Sequence, residues 1–214
     1  MKRFVSFSTM ALAAAGLIYQ ASAGTALADT VPAAPESASP GTTTSGAAPS
    51  APWEQKGFWT SPTIHNYGEI HVLDKTSYRP DPHQTYKIIF MLINGGNDPS
   101  KVNSGLDHVA RTVNLYTAAG VPLSHLKIVA VVSGKATPLV MTNDAYRARY
   151  KVDNPNLPLL AELRKAGVDV TACGQAIPEN HFDYSQISKD VSLSYSSLLT
   201  VSVLEQQGYG FMLF

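Results

Sequence analysis

Cysteine is almost missing from this chain: Cys173 stands alone in 214 residues. A single thiol cannot close an intramolecular disulfide, so the fold has to stand on its hydrophobic core. Charge is scarce too. Asp, Glu, Lys and Arg make up 15% of the residues, against about 25% in an average domain, and 16 cations balance 16 anions. With no net charge and no basic stripe, nothing supports a nucleic-acid partner. No glycine-rich phosphate fingerprint is present. Gly95-Gly96 falls far short of G-x-G-x-x-G, so no nucleotide cofactor is expected. There is no Ser-His-Asp hydrolase elbow. The six histidines (His65, His71, His83, His108, His125, His181) show no metal-ligand spacing, and there is no cysteine pair. The expected cofactor and metal content is therefore none.

The N-terminus carries an address. Lys2-Arg3 is a positive start, Phe4 to Ile18 is uncharged and mostly apolar, and Ala21-Ser-Ala23 and Ala26-Leu-Ala28 are small-x-small sites. Together they predict a secretory signal peptide over 1–23, with cleavage after Ala28 as the alternative. The apolar run is too short and serine-rich for a membrane helix, so no span is expected after cleavage. The protein is expected in the periplasm or outside the cell. Residues 29–52 are Pro, Ala, Ser, Thr and Gly with only Asp29 and Glu36 charged. Such a segment buries no apolar surface and predicts a disordered linker reaching roughly 25–30 Å. Residues 53–84 read as an N-terminal extension, with Ile64 to Leu73 as a small hairpin or a segment lying on the domain.

From residue 85 the pattern becomes regular. Tyr86–Ile93 is a near-continuous apolar run ended by Asn94-Gly-Gly-Asn-Asp-Pro99, as suits a strand buried on both faces. A helix follows, with Ser104 as its expected cap, Asp107 in its first turn, and Leu106, Val109, Ala110, Val113 and Tyr116 on one face. Gly120 and Pro122 end it. Leu126–Val132 is a second strand closed by Ser133-Gly134. A helical stretch spans about 143–150, and a further helix starts at Asn156 as cap with Pro158 in its first turn. Val168–Ala172 is a third strand, Val191–Tyr195 a fourth, Ser197–Gln207 a last helix and Tyr209–Phe214 a final strand. Strands alternating with helices imply a mainly parallel, roughly five-stranded sheet covered on both faces. The expected class is a three-layer α/β sandwich in a flavodoxin-like arrangement.

In such a sheet, chemistry gathers beyond the carboxyl ends of the strands, and Cys173 sits there. It is read as a candidate nucleophile, with an inert buried thiol as the alternative, because free cysteine packs well as a small hydrophobe. A reactive thiol needs help to ionise. Lys135 is an electrostatic candidate, and the loops after the first two strands add Asn94, Gly95, Ser133 and Gly134. Amides of Gly134, Gly174 and Gln175 offer a nest for an anionic sulfur. His181, in the loop after Cys173, is a candidate to pair with the thiol, though a solvated loop histidine is the favoured reading. Asp107 and Arg111 are spaced for a surface ion pair. Tyr146-Arg-Ala-Arg-Tyr150 reads as a solvated helix face, with anion binding as its other use.

Several of these segments carry a resemblance. Gly105-Leu-Asp-His-Val-Ala-Arg-Thr-Val-Asn-Leu-Tyr116 with Ala119-Gly-Val-Pro122, Asp153-Asn-Pro-Asn-Leu-Pro158, Cys173-Gly-Gln175 and Gln206-Gln-Gly-Tyr209 together resemble the DsrE/DsrF-like family, in its exported branch. The likeness runs from about Tyr86 to the C-terminus, with some of the lead-in from Ile64. It implies a three-layer fold with a parallel sheet and assembly into trimers or hexamers. It also implies a sulfur relay, in which one cysteine, here Cys173, takes sulfur as a persulfide from a donor protein and passes it to an acceptor. The other reading is a non-catalytic oligomeric module that binds a small molecule or a protein and keeps Cys173 for structure.

Overall fold

The computed structural model describes residues 50–214. The expected signal peptide and all but the end of the expected linker lie outside the described residues. Five strands form one sheet: β1 (Tyr86–Leu92), β2 (Leu126–Val132), β3 (Asp169–Cys173), β4 (Ser192–Ser194) and β5 (Gly210–Leu213). All neighbours are parallel, in the order β4-β3-β2-β1-β5. The α/β class is the expected one. The strand order is its own: flavodoxin's is 2-1-3-4-5, whereas here β1 to β4 run in one direction and β5 returns to the far side of β1.

That order decides which helix covers which face. Right-handed crossovers along β1 to β4 put α1 (Ser104–Ala118), α2 (Asn143–Tyr150) and α3 (Leu157–Lys165) on one side. The return to β5 through α5 (Ser197–Gln206) then falls on the other. Side chains follow this division, because alternate strand residues face opposite ways. Phe90, Leu92, Ala130, Val132, Val170 and Ala172 join Leu106, Val109, Val113, Leu159, Leu160 and Leu163 in the main core. Ile89, Val131, Thr171 and Cys173 belong to the opposite face, toward α5.

Local chemistry sets the helix ends. Asn103, not Ser104, caps α1: its Oδ1 accepts from the amides of Gly105 (2.9 Å) and Leu106 (3.3 Å). Ser104 is the first helical residue, a one-position slip among two capable caps. Asn156 holds the expected cap position of α3 but caps nothing with its side chain. Its Oδ1 accepts from Asn103 N at 2.8 Å and its Nδ2 donates to Asn154 Oδ1 at 2.9 Å, joining two buried asparagines to the start of α1. α1, α3 and α5 each end with the paired 6→1 and 5→2 bonds of a Schellman turn, at Gly120, Gly167 and Gly208.

The extension lies on α1 as a built part of the domain. A bridge between Thr60 and Ile70 closes it, and Ile64 and Ile70 are buried. Asn114, fully buried in α1, is the clamp. Its Oδ1 accepts from the amides of Thr63 (3.0 Å) and Ile64 (2.8 Å), and its Nδ2 donates to the carbonyls of Tyr67 and Gly68 (both 2.9 Å). Gly68 comes so close that a Cβ there would lie 2.1 Å from Arg111 N. Asp107, expected to pair with Arg111, holds the Gly68 amide at 2.7 Å and sits 4.0 Å from the guanidinium. His108 is half-buried with its ring 5.1 Å from that of Phe214.

Candidate functional site

Cys173 ends β3, and its neighbours set its chemistry. Parallel pairing of β3 with β4 places Ser194 beside it. The chain then turns through Tyr195 into Ser196, whose hydroxyl caps α5 by accepting from Leu199 N at 3.1 Å. Ser197, the first residue of that helix, donates its amide to Cys173 Sγ at 3.2 Å. The sulfur therefore sits at the N-terminus of α5, where the helix dipole favours an anion. The thiol is 4% exposed. Burial is the largest single influence on its ionisation and pushes the pKa up. Hydrogen bonds from the Ser197 amide and hydroxyl, the Ala176 amide and the Ser133 hydroxyl together outweigh it, so the thiol ionises below the ordinary cysteine value.

A rigid rim surrounds the sulfur. Gly174 N donates to Ser194 O at 2.9 Å, Gln175 Nε2 to Tyr195 O at 3.0 Å, and Tyr184 Oη to Gly174 O at 2.9 Å. A Cβ on Gly174 would lie 2.7 Å from Ser194 O and 3.2 Å from Tyr195 O. Glycine here is a matter of close backbone approach.

The residues expected around the thiol divide into two groups. Ser133 is beside it, 3.4 Å from Ser197 Oγ. Gly174 and Gln175 form the rim, but the Gly174 amide, expected to face the sulfur, is committed to Ser194. The donors from the backbone are Ser197 and Ala176 instead. Gly134 makes the turn out of β2 at φ +55° and its carbonyl accepts from the Thr137 hydroxyl at 2.8 Å. Asn94 closes its own loop, its carbonyl accepting from Asn103 Nδ2 at 3.0 Å. Lys135 and Gly95 do not flank the thiol. They line a separate cavity of about 300 Å³ with Tyr146, Arg149, Tyr150 and Asn180. His181 faces another hollow, with Ala145, Phe182 and Gln186, and forms no pair with Cys173. Ser197 and Ala176 were missed because neither is chemically distinctive. The signal available was positional: a helix read as starting at Ser197, right after the strand that neighbours β3, brings its first amides to the end of β3.

The carboxyl ends of β1, β2 and β3 are level, Leu92 beside Val132 and Val132 beside Ala172, so both sites open on the same sheet edge. Among the described residues, no three His, Cys, Asp or Glu side chains are grouped to hold a metal ion, and no helix is long and apolar enough to cross a membrane.

Comparison with known proteins finds four matching chains among the solved structures and one family. A protein of unknown function, MTH1491 from Methanobacterium thermoautotrophicum, aligns with 60% of this chain and 99% of its own at 15% identity, with a TM-score of 0.42. No curated protein matches. The model of the DsrE/DsrF-like family matches residues 87–214, from the first core strand through the thiol to the last residue, and the chain belongs to that family.

Proposed function

We propose that this protein is an exported sulfur carrier, or a sulfurtransferase-like relay component, working through Cys173. The observation that carries the reading is the setting of the thiol: at the carboxyl edge of a parallel sheet, on the first amide of α5, among donors that favour its anion. Family membership supports the same reading. The thiolate attacks the outer sulfur of a persulfide or polysulfide donor. A new S–S bond forms at Sγ, the donor's S–S bond breaks, and the donor leaves as a thiolate. An acceptor thiolate then takes the outer sulfur by the same exchange, so the protein undergoes no net redox change.

One observation favours a second reading. At 4% exposure Cys173 suits a structural thiol in an oligomeric binding module. The pH profile of alkylation decides between them. A carrier thiol reacts with iodoacetamide in the native protein, with a midpoint below about 8.5. A structural thiol reacts only when the chain unfolds.

A homo-oligomer, a trimer or hexamer, belongs to the same proposal. α5 has one charged residue, Glu205, and only Ser197 is buried in it. Leu198 is 83% exposed and Tyr195 78%, with Leu193, Leu199 and Val203 also open to solvent. Apolar surface of this extent marks an interaction site. A second copy on it, or a donor or acceptor protein, would stand directly over the rim of the thiol.

A further inference from the structure

We infer a second binding site on this sheet edge, separate from the thiol: the cavity of about 300 Å³ beside Lys135 takes a small organic carboxylate. Two loops and a helix build it. The loops after β1 and β2 meet where a Cβ on Gly95 would lie 2.4 Å from Lys135 O. α2 supplies Tyr146 and Arg149 from one side, and Asn180 comes from the turn after β3.

Both cations of the cavity lack a carboxylate. Among the described residues, the ion pairs use Lys101, Arg111, Arg147, Arg164 and Lys165, and neither Lys135 nor Arg149. Arg149 is nonetheless held in place. Its Nη1 donates to Asn180 O at 3.0 Å, and its guanidinium lies 5.1 Å from the Phe182 ring centre and 5.8 Å from that of Tyr150. A guanidinium fixed in this way, with other N–H groups left over, recognises carboxylate geometry at reduced entropic cost. The nearby acid, Asp98, pairs with Lys101 at 3.3 Å and accepts from the Ser100 amide and hydroxyl, so its hydrogen bonds are made away from Lys135 and Arg149. The Tyr146 hydroxyl donates to Pro99 O at 2.9 Å, which pins the ring as a wall.

The remaining walls decide the class of ligand. Pro99, Pro138, Leu139 and the faces of the two tyrosine rings form the apolar part of the lining, and Asn97, Asn180 and the Gly95-Gly96 backbone the polar part. The space corresponds to about ten water volumes. A bare inorganic ion would leave these walls unfilled, whereas a carboxylate on a compact apolar body satisfies the cations and covers the walls.

The test is an NMR titration of the isotopically labelled full chain carrying Cys173→Ser, so that thiol chemistry plays no part and the result is independent of the sulfur-carrier reading. The probes are benzoate, its neutral isostere benzamide, and inorganic phosphate. Saturable benzoate shifts at Gly95, Gly96 and Asn180 are expected, with benzamide and phosphate each at least tenfold weaker. Arg149→Gln and Lys135→Gln should each weaken benzoate about tenfold. Lys135 is an exposed side chain, so its substitution leaves the fold intact. No saturable benzoate binding below ~10 mM, benzamide or phosphate binding as tightly, or affinity unmoved by both substitutions would each overturn the assignment.

Discussion

Four donors surround the Cys173 sulfur, and together they overcome the burial that opposes its charge. This has a consequence for stability as well as reactivity. The folded pKa lies below that of the unfolded thiol, so the folded state binds the proton less tightly. The stabilisation is complete above the unfolded value of about 8.5. It is lost as pH falls through the folded value. Cys173→Ser should therefore flatten that arm of a stability–pH curve, measured by urea unfolding. Gly174 is the second telling residue. Gly174→Ala drives a methyl into the carbonyls of Ser194 and Tyr195 and should cost about 1–3 kcal/mol, read as a lower urea midpoint. It should also slow native alkylation of Cys173, because pushing the β4–α5 turn away takes Ser197 N from the sulfur. The thiol itself was plain in the sequence. So was Ser133, but the amides of Ser197 and Ala176 were not, because a backbone amide carries no residue signature and only the fold brings it near.

Elements were more legible than their uses. Apolar runs gave β1 and β2 almost to the residue, since a strand buried on both faces is apolar throughout. The short edge strand β4 shrank from the expected five residues to Ser192–Ser194. The four-residue α4 (Ala176–Glu179) and the 3-10 segment Gly134–Val140 carry no periodicity and went unseen. The 53–84 extension had only its buried isoleucines as a signal, and its anchor, Asn114, looked like one polar residue on a helix. Its four hydrogen bonds to the extension's backbone make it structural. Asn114→Ala strands those groups and should cost about 2 kcal/mol or more. Protease cleavage within residues 53–84 should accelerate in the folded protein.

Among the described residues, the sheet carries one thick layer and one thin one. α1 and α3 close the main core, whereas the opposite face carries α5, whose leucines and valines remain largely open. Periodicity does not encode the strand order, which sets the face that carries α5, and this is the face on which the proposed assembly would form. Leu198→Glu should break a trimer or hexamer into smaller species by light scattering, with the domain still folded by circular dichroism. A monomeric wild type would refute the assembly.

The decisive measurement is the intact mass of the native protein after brief polysulfide exposure and desalting, with Cys173→Ser beside it. A gain of whole sulfur atoms in the wild type alone, removed by a thiol reductant, is the expected result. An unchanged mass in a protein whose thiol reacts only on unfolding would make Cys173 structural and contradict the sulfur-carrier reading.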